Sequence, residues 1–336
     1  MSASQRILKE RRHYNKWVAN QTLEDYALRF TAVGGRHMSI SKVGMTALGG
    51  ASFLALEGLA AAVTLSYGFT NTLMAMLAVC VVLFITGFPI AYYCAKHGLD
   101  IDLLTRGAGF GYLGSTITSL IYASFTFIFF AIEAAILASA LHVLLGIPLF
   151  IGYVICAVAV IPIVTHGITA ISKFQVGTQF IWLLLQCSAL AVVLIYEYDN
   201  LADWAEFVAP QAPEGSDFNL VLFGSAVSIF IALVAQIGEQ ADYLRFMPPK
   251  TVENRKRWWF WLVLSGPGWV WVGFIKMLLG SFLAYLAFTQ LMPFEQATDP
   301  TYLYTQVFLT LTESPVISLI LAAIMVFVTN TYHVVI

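Results

Sequence analysis

Long apolar segments, separated by short polar stretches, constrain this chain more than any other feature. They lie at about 43–66, 70–95, 115–144, 149–165, 174–196, 219–241, 258–289 and 315–336. A helix needs about 20 apolar residues to cross a bilayer. Only 11% of the residues are charged, whereas soluble domains have about 25%. The sequence therefore predicts an all-α integral membrane protein with a polar tail at 1–42 and a transmembrane domain of eight helices at 43–336.

The basic residues are sorted along the chain in a way that predicts its orientation. Sixteen of the 17 Lys/Arg residues fall in the tail or in alternate connections, and only Lys276 lies within an apolar segment. The long connections at 197–217 and 295–313 carry nine acids and no base. Because basic residues concentrate on the cytoplasmic side, we expect a multi-pass protein of the cytoplasmic membrane with its N-terminus inside. The lipid bilayer is then a partner, and nucleic acid is not expected as one.

Catalytic and metal-binding patterns are not evident in the sequence. The four cysteines lie in apolar segments and are interpreted as small buried hydrophobes. The pattern G-x-G-x-x-G at 109–114 lacks the strand that a dinucleotide site requires, so we interpret it as accidental. The six histidines are scattered along the chain. We therefore expect no enzyme activity.

The polar stretch at 236–250 follows an apolar run while the predicted helix is still long enough to be inside the bilayer. Gln236 and Glu239 flank Gly238 there. Polar residues within a membrane helix typically mark a functional site, and interrupted helices build such sites in many transporters. The alternative is that the helix ends early and that Glu239 lies among lipid headgroups.

Two further apolar segments carry acids, and a third carries the isolated lysine. Glu57 lies in a glycine-rich first segment, where the glycines either loosen the helix or form packing faces. Glu133 follows Phe129 by four residues, which places ring and carboxylate on one helix face. Lys276 is predicted at a similar depth and could pair with either acid, because a lone buried charge is costly. A purely structural ion pair is the alternative.

Several motifs resemble those of the nucleobase:cation symporter family, the purine/cytosine permeases. They are Ala-Lys-His-Gly-Leu at 95–99, Leu-Thr-Arg at 104–106, Phe-Gly-Tyr-Leu-Gly-Ser at 110–115 and Asp-Tyr-Leu-Arg-Phe-Met-Pro at 242–248. The resemblance covers about residues 40–330. It implies a LeuT-type fold of two inverted five-helix repeats. It also implies helix interruptions near 47–53 and 231–236, with the first helix superposing on the sixth.

The resemblance also implies a cation-coupled permease for a nucleobase-like or related nitrogenous solute, with its site between helices one, three, six and eight. The implied substrate-binding residues are Phe53, Glu57, Phe129, Glu133, Leu233, Gln236 and Asn330. The implied cation-binding residues, for Na⁺ or for H⁺ as the coupling ion, are Gly49, Ala51 and Thr329. The residues expected to have a structural role in the motifs are Lys96, Arg106, Asp242 and Arg245.

Two departures from the family pattern affect the expected solute. The family has glutamine one turn after the stacking aromatic, and this chain has Glu133; the family tryptophan of the sixth helix falls near Leu233. A carboxylate accepts hydrogen bonds and donates only when protonated, so Glu133 favours a solute with N–H donors or positive charge. We therefore predict that Glu133 sets specificity, with proton coupling through it as one option.

The family fold has ten helices, and this sequence contains eight, so the second repeat is expected to be incomplete. The stretches at 12–30 and 238–249 also resemble permease-like N-terminal parts of bacterial membrane histidine kinases. Three hypotheses are therefore open: a permease, a solute-sensing input module with a kinase domain as partner in a full-length relative, and a non-functional fragment of either.

Overall fold

The protein is described by a computed structural model over residues 30–159, 161–164, 167–210 and 217–335, and most of the predicted tail lies outside these residues. The described residues form helices α1 (Ile40–Gly49), α2 (Ala55–Tyr67), α3 (Phe69–His97), α4 (Ile101–Thr105), α5 (Gly111–Leu145), α6 (Leu149–Ala159), α7 (Ile161–Val164), α8 (Gly167–Tyr196), α9 (Asn200–Ala205), α10 (Leu220–Phe230), α11 (Gln236–Leu244), α12 (Arg255–Ser265), α13 (Trp269–Thr289), α14 (Phe294–Ala297), α15 (Pro300–Thr312) and α16 (Pro315–Val335).

Five helical segments of the described chain are long and apolar enough to cross a membrane. They are Phe69–His97, Ile101–Leu145, Ile171–Tyr196, Leu220–Leu244 and Arg255–Thr289. The other three predicted spans correspond to shorter apolar helices, at Ala55–Tyr67, Leu149–Ala159 and Pro315–Thr331. The all-helical membrane architecture is thus confirmed, whereas the number of eight spans stays a prediction.

The predicted interruption of the first apolar segment is confirmed. Helix α1 ends at Gly49, helix α2 begins at Ala55, and residues 50–54 between them are not helical. The sixth segment is also irregular at the predicted place, since a 3-10 turn at Ile231–Ala235 separates α10 from α11. Both irregular stretches leave backbone groups without the regular i to i−4 hydrogen bonds.

The seventh predicted span, 258–289, falls within the apolar segment Arg255–Thr289, and a turn interrupts its helix. Helix α12 ends at Ser265 and α13 begins at Trp269, with Gly266, Pro267 and Gly268 between them. Proline lacks an N–H group, and its ring clashes with the preceding turn of a helix. The Gly-Pro-Gly sequence is a turn signal that the apolar character of its flanks obscured. The predicted outer connection at 295–313 contains two helices, α14 and α15.

The two halves of the interrupted helix lie in the middle of the helical assembly. Helix α1 packs against α8, α11 and α12, and α2 packs against α13, α3, α5 and α10. Helix α16 packs against α5 and α8, beside the interruption. Ala51, Phe53 and Leu54 are fully buried. This packing brings side chains from α5, α13 and α16 to residues 50–54.

The close approach of α13 to α2 depends on Gly280. A Cβ atom added there would lie 2.7 Å from Cβ of Glu57, too close for an ordinary contact. We expect Gly280→Ala to destabilise the protein by about 1–3 kcal/mol, the usual cost of overpacking, as a lower midpoint of thermal unfolding in detergent. Gly224→Ala is the matched control, because nothing lies within 4 Å of its added Cβ. Equal midpoints for the two variants would contradict the packing described here.

Candidate functional site

The interruption between α1 and α2 is held by an ammonium group from α13. The Lys276 side chain is buried, and its Nζ donates to the carbonyl oxygens of Ser52 at 2.5 Å and Phe53 at 2.9 Å. Nζ also forms an ion pair with Oε1 of Glu57 at 3.2 Å. A lysine ammonium has three N–H donors, and three acceptors surround this one. Of the two partners considered for Lys276, Glu57 is therefore the one that it contacts.

Glu57 connects the ion pair to two other helices. The hydroxyl of Tyr304, in α15, lies 3.0 Å from Oε1 of Glu57 and 2.9 Å from Oε1 of Gln186, in α8. A phenol has one proton to donate. Its two neighbours here are both acceptor oxygens, Oε1 of Glu57 and Oε1 of Gln186, so the hydroxyl donates to one of them at a time. The Glu57–Lys276 pair is therefore the centre of a buried network that spans four helices.

The first N–H groups of α2 are bound by acceptors from the opposite side. Oε1 of Glu133 accepts from the backbone N–H of Ala55 at 3.0 Å. Oδ1 of Asn330, in α16, accepts from the backbone N–H of Leu54 at 3.3 Å, and its amide donates to the carbonyl of Glu133 at 3.3 Å. These groups replace the hydrogen bonds that a continuous helix would make.

The charges match the two helix ends that face each other. The C-terminal end of a helix carries partial negative charge and the N-terminal end partial positive charge. Lys276 lies on carbonyls that follow α1, and Glu133 lies on the N-terminus of α2. Oε2 of Glu133 is buried and has no hydrogen-bond partner among the described residues. That oxygen is therefore an unused hydrogen-bond acceptor beside the interruption.

Aromatic rings lie on the helix face that carries the Glu133 carboxylate. The ring of Phe53 meets that of Phe129 edge to face, with centroids 5.6 Å apart, and Phe125 lies 4.3 Å from Phe129. Phe129 and Glu133 share one face of α5, and both are buried. The structure therefore brings together five predicted substrate-binding residues at the interruption: Phe53, Glu57, Phe129, Glu133 and Asn330.

A cavity of about 630 Å³ lies on the α2 side of the interruption. Its lining includes Ala55 and Ile132, the neighbours of Leu54 and Glu133, and also Glu295, Asp299 and Pro300, which lie in α14, before α15 and at the start of α15. The cavity therefore extends from the interruption towards the connection at 295–313. We call it the vestibule.

Leu233 and Gln236 lie apart from this group. Leu233 lines a small apolar void with Phe230 and Met277. Nε2 of Gln236 donates to Oε2 of Glu239 at 2.5 Å. Glu239 and Gln240 lie against Gly50, at the α1 side of the interruption. These positions do not place Leu233 or Gln236 beside Glu133, and their role as substrate ligands stays a prediction.

The residues expected to bind a cation lie around the interruption but have other contacts. The carbonyl of Gly49 accepts from the N–H of Ser52 at 2.8 Å, and Ala51 donates its N–H to Leu48. The hydroxyl of Thr329 donates to the carbonyl of Met325 at 2.7 Å and lies 3.1 Å from Oδ1 of Asn330. Thr329 thus approaches the interruption through Asn330.

The motif residues lie at the other end of the helices. Oδ1 of Asp242 accepts from the N–H of Ile101 at 3.2 Å, which connects α11 to α4. Arg106 pairs with Asp102 at 3.0 Å. Lys96 lies over the ring of Tyr92, and Arg245 lies over that of Phe246. These contacts are to the same or to neighbouring elements, and the structural role of the four residues stays a prediction.

Sequence reasoning missed Gln186, Tyr304 and the carbonyls of Ser52 and Phe53. An amide inside an apolar segment is a signal for Gln186. Tyr304 lies in a segment that was predicted to be a connection. Backbone carbonyls are present in every residue, so residue types do not show which of them bind Lys276.

Comparison with solved structures shows a similar fold. One similar solved structure is that of Mhp1, a nucleobase-cation-symport-1 family transporter, in a closed conformation with bromovinylhydantoin bound. Its TM-score to this chain is 0.63, and the two sequences are 17% identical. The similarity covers 91% of this chain and 66% of that one, so the chain spans just under two thirds of its length. No family model and no curated protein matches the chain. The chain is thus a multi-pass, all-helical membrane protein with a fold similar to that of this transporter.

Proposed function

We propose that the protein is a cation-coupled transporter that moves a small nitrogenous solute by alternating access. The observation that supports this most is a broken helix with buried charged groups, whose second half, α2, lines the 630 Å³ vestibule from Ala55 onwards. Discontinuous helices of this kind form the substrate and ion sites of secondary transporters. The proposal includes the inverted-repeat organisation and eight spans in this chain.

The chemistry of the site favours a solute with N–H donors or positive charge. Glu133 offers Oε2 as an acceptor, and Phe53 and Phe129 offer apolar ring surface beside it. Among the described residues that line the vestibule, Glu295 and Asp299 are acidic and none is Lys or Arg. An acidic entrance attracts cations and repels anions. We therefore propose a nucleobase-like or related nitrogen heterocycle as substrate.

The coupling ion is proposed to be Na⁺ or H⁺. For Na⁺, the ligands would come from the backbone of Gly49 and Ala51 and from the hydroxyl of Thr329. For H⁺, the carriers would be the buried acids Glu133 and Glu239, both at most 3% exposed.

Uptake by purified protein in liposomes tests the function. We expect at least one member of a panel of radiolabelled cytosine, uracil, adenine and hydantoin to accumulate when a Na⁺ or H⁺ gradient is imposed. Accumulation should collapse when the gradient is dissipated. Solute binding without uptake under any gradient would instead favour the sensing module with a kinase partner. If folded protein neither binds nor takes up any member of the panel, the proposal is contradicted.

The proposed orientation has the N-terminus in the cytoplasm. We expect an impermeant thiol reagent, added outside cells, to label single cysteines placed at Asp203 and Gln296. The same reagent should not label cysteines at Lys9 or Lys256. The background should carry a replacement of Cys187, because it is the exposed cysteine of the four. Labelling at Lys256 from outside would reverse the orientation.

A further inference from the structure

The surroundings of the Lys276 ammonium are those of a cation site. Its three contacts are two backbone carbonyl oxygens and one carboxylate oxygen, at 2.5, 2.9 and 3.2 Å. In secondary transporters, carbonyls freed by a helix interruption bind the coupling cation. Here a side chain from the neighbouring helix α13 supplies the positive charge instead.

The site leaves no donor of the ammonium unused. A lysine ammonium has three N–H groups, and each meets one of the three acceptors. Lys276 is 1% exposed and Glu57 is fully buried, so these contacts lie away from bulk solvent. Two further oxygens, Oε2 of Glu57 and Oγ of Ser52, are buried without a hydrogen-bond partner among the described residues.

We propose that Lys276 is a tethered cation: its ammonium occupies a monovalent-cation site formed by the carbonyls of Ser52 and Phe53 and the carboxylate of Glu57. While Lys276 is in place, no free cation binds there. Removal of the side chain leaves an oxygen-lined space with one negative charge, which accepts Na⁺, K⁺ or a small alkylammonium ion. The inference concerns the occupant of this site and is independent of the proposed transport.

The consequence for coupling is specific. A Na⁺ ion that drives transport would have to bind elsewhere, as at Gly49, Ala51 and Thr329. The ammonium of Lys276 would stay beside Glu57 throughout the transport cycle, whereas an exchangeable ion would leave that position. Sequence alone left this open, because it did not distinguish Glu57 from Glu133 as the partner of Lys276.

Thermal unfolding of the full chain in detergent tests the inference. Unfolding midpoints are measured in NaCl, KCl, ethylammonium chloride and choline chloride, all at the same ionic strength. A ligand that binds only folded protein raises stability with its concentration. We expect the midpoint of Lys276→Ala to rise with Na⁺, K⁺ or ethylammonium relative to choline, by more than the wild-type midpoint does. Lys256→Ala, at an exposed residue, should behave like wild type.

A second variant shows where the ion binds. Lys276→Ala combined with Glu57→Gln lacks the negative charge of the site, so the additional response to small cations should be lost. If Lys276→Ala can be purified only with one of these cations present, that requirement is the expected result in another form. The proposal is wrong if Lys276→Ala responds no more than wild type, if the double variant keeps the response, or if Lys276→Ala fails to fold in every salt.

Discussion

Lys276→Met should destabilise the protein more than any other single change at the site. The substitution leaves the Glu57 carboxylate buried without its counter-charge, and the carbonyls of Ser52 and Phe53 lose their donor. Removal of one partner from a buried ion pair typically costs about 3–5 kcal/mol. We expect a large fall in the unfolding midpoint in detergent without added salt, together with a lower yield of folded protein.

The matched comparison is the double variant Lys276→Met with Glu57→Gln. It removes both charges, and neutral replacement of a complete buried pair is often tolerated. We therefore expect the double variant to be more stable than Lys276→Met alone. Lys256→Met, at an exposed residue, controls for the loss of a positive charge. If the double variant loses as much unfolding free energy as the two single variants added together, Lys276 and Glu57 are not coupled in the folded protein.

Glu133→Gln should change solute selectivity while the fold is kept. Glutamine retains an oxygen that can accept from the N–H of Ala55, so the N-terminus of α2 stays bound. The change replaces a charged acceptor by a neutral amide. A hydrogen bond to a charged group contributes about 1.5–3 kcal/mol, which corresponds to roughly 10- to 150-fold in affinity. We expect a loss of this size for the solute that the wild type accumulates best.

Competition between members of the heterocycle panel measures that change. Glu253→Gln removes a carboxylate from an exposed position outside the apolar segments and should leave uptake as it is in wild type. Glu133→Ala serves as a second comparison, since it also leaves the Ala55 N–H without its acceptor and should lose stability as well. Unchanged affinity, selectivity and pH dependence in Glu133→Gln would make Glu133 a structural residue and the assigned site wrong.

The first helix shows how far the sequence reaches. Glycine content and the resemblance together predicted that the helix is interrupted within 47–53, and the structure places the interruption at residues 50–54. Glycine lowers the cost of leaving the helix, so the interruption could be predicted from the residue types. The partners of the freed backbone groups could not be predicted, because they come from α5, α13 and α16, which are distant in sequence.

The charged residues illustrate the same limit. An unpaired lysine inside a membrane is costly, so the sequence required a partner for Lys276. Similar depths made Glu57 and Glu133 equally eligible, and only the packing of α13 on α2 distinguishes them. The role of Tyr304 was not predicted, because its segment resembles a connection in sequence. The burial of α15 comes from tertiary contacts. The break after α12, by contrast, is indicated by the Gly-Pro-Gly sequence, although it was not predicted.

The central claim, that a solute binds at the interruption and is reached through the vestibule, is tested most directly at Ala55. This residue lines the vestibule and donates its N–H to Glu133. In a background without Cys187, a small impermeant thiol reagent should modify Ala55→Cys from the side of Gln296, and the solute that is taken up should slow the reaction. A cysteine at Gln296 should react at the same rate with and without solute. If Ala55→Cys does not react from that side, or reacts at a rate that no transported solute changes, the site does not lie at the interruption.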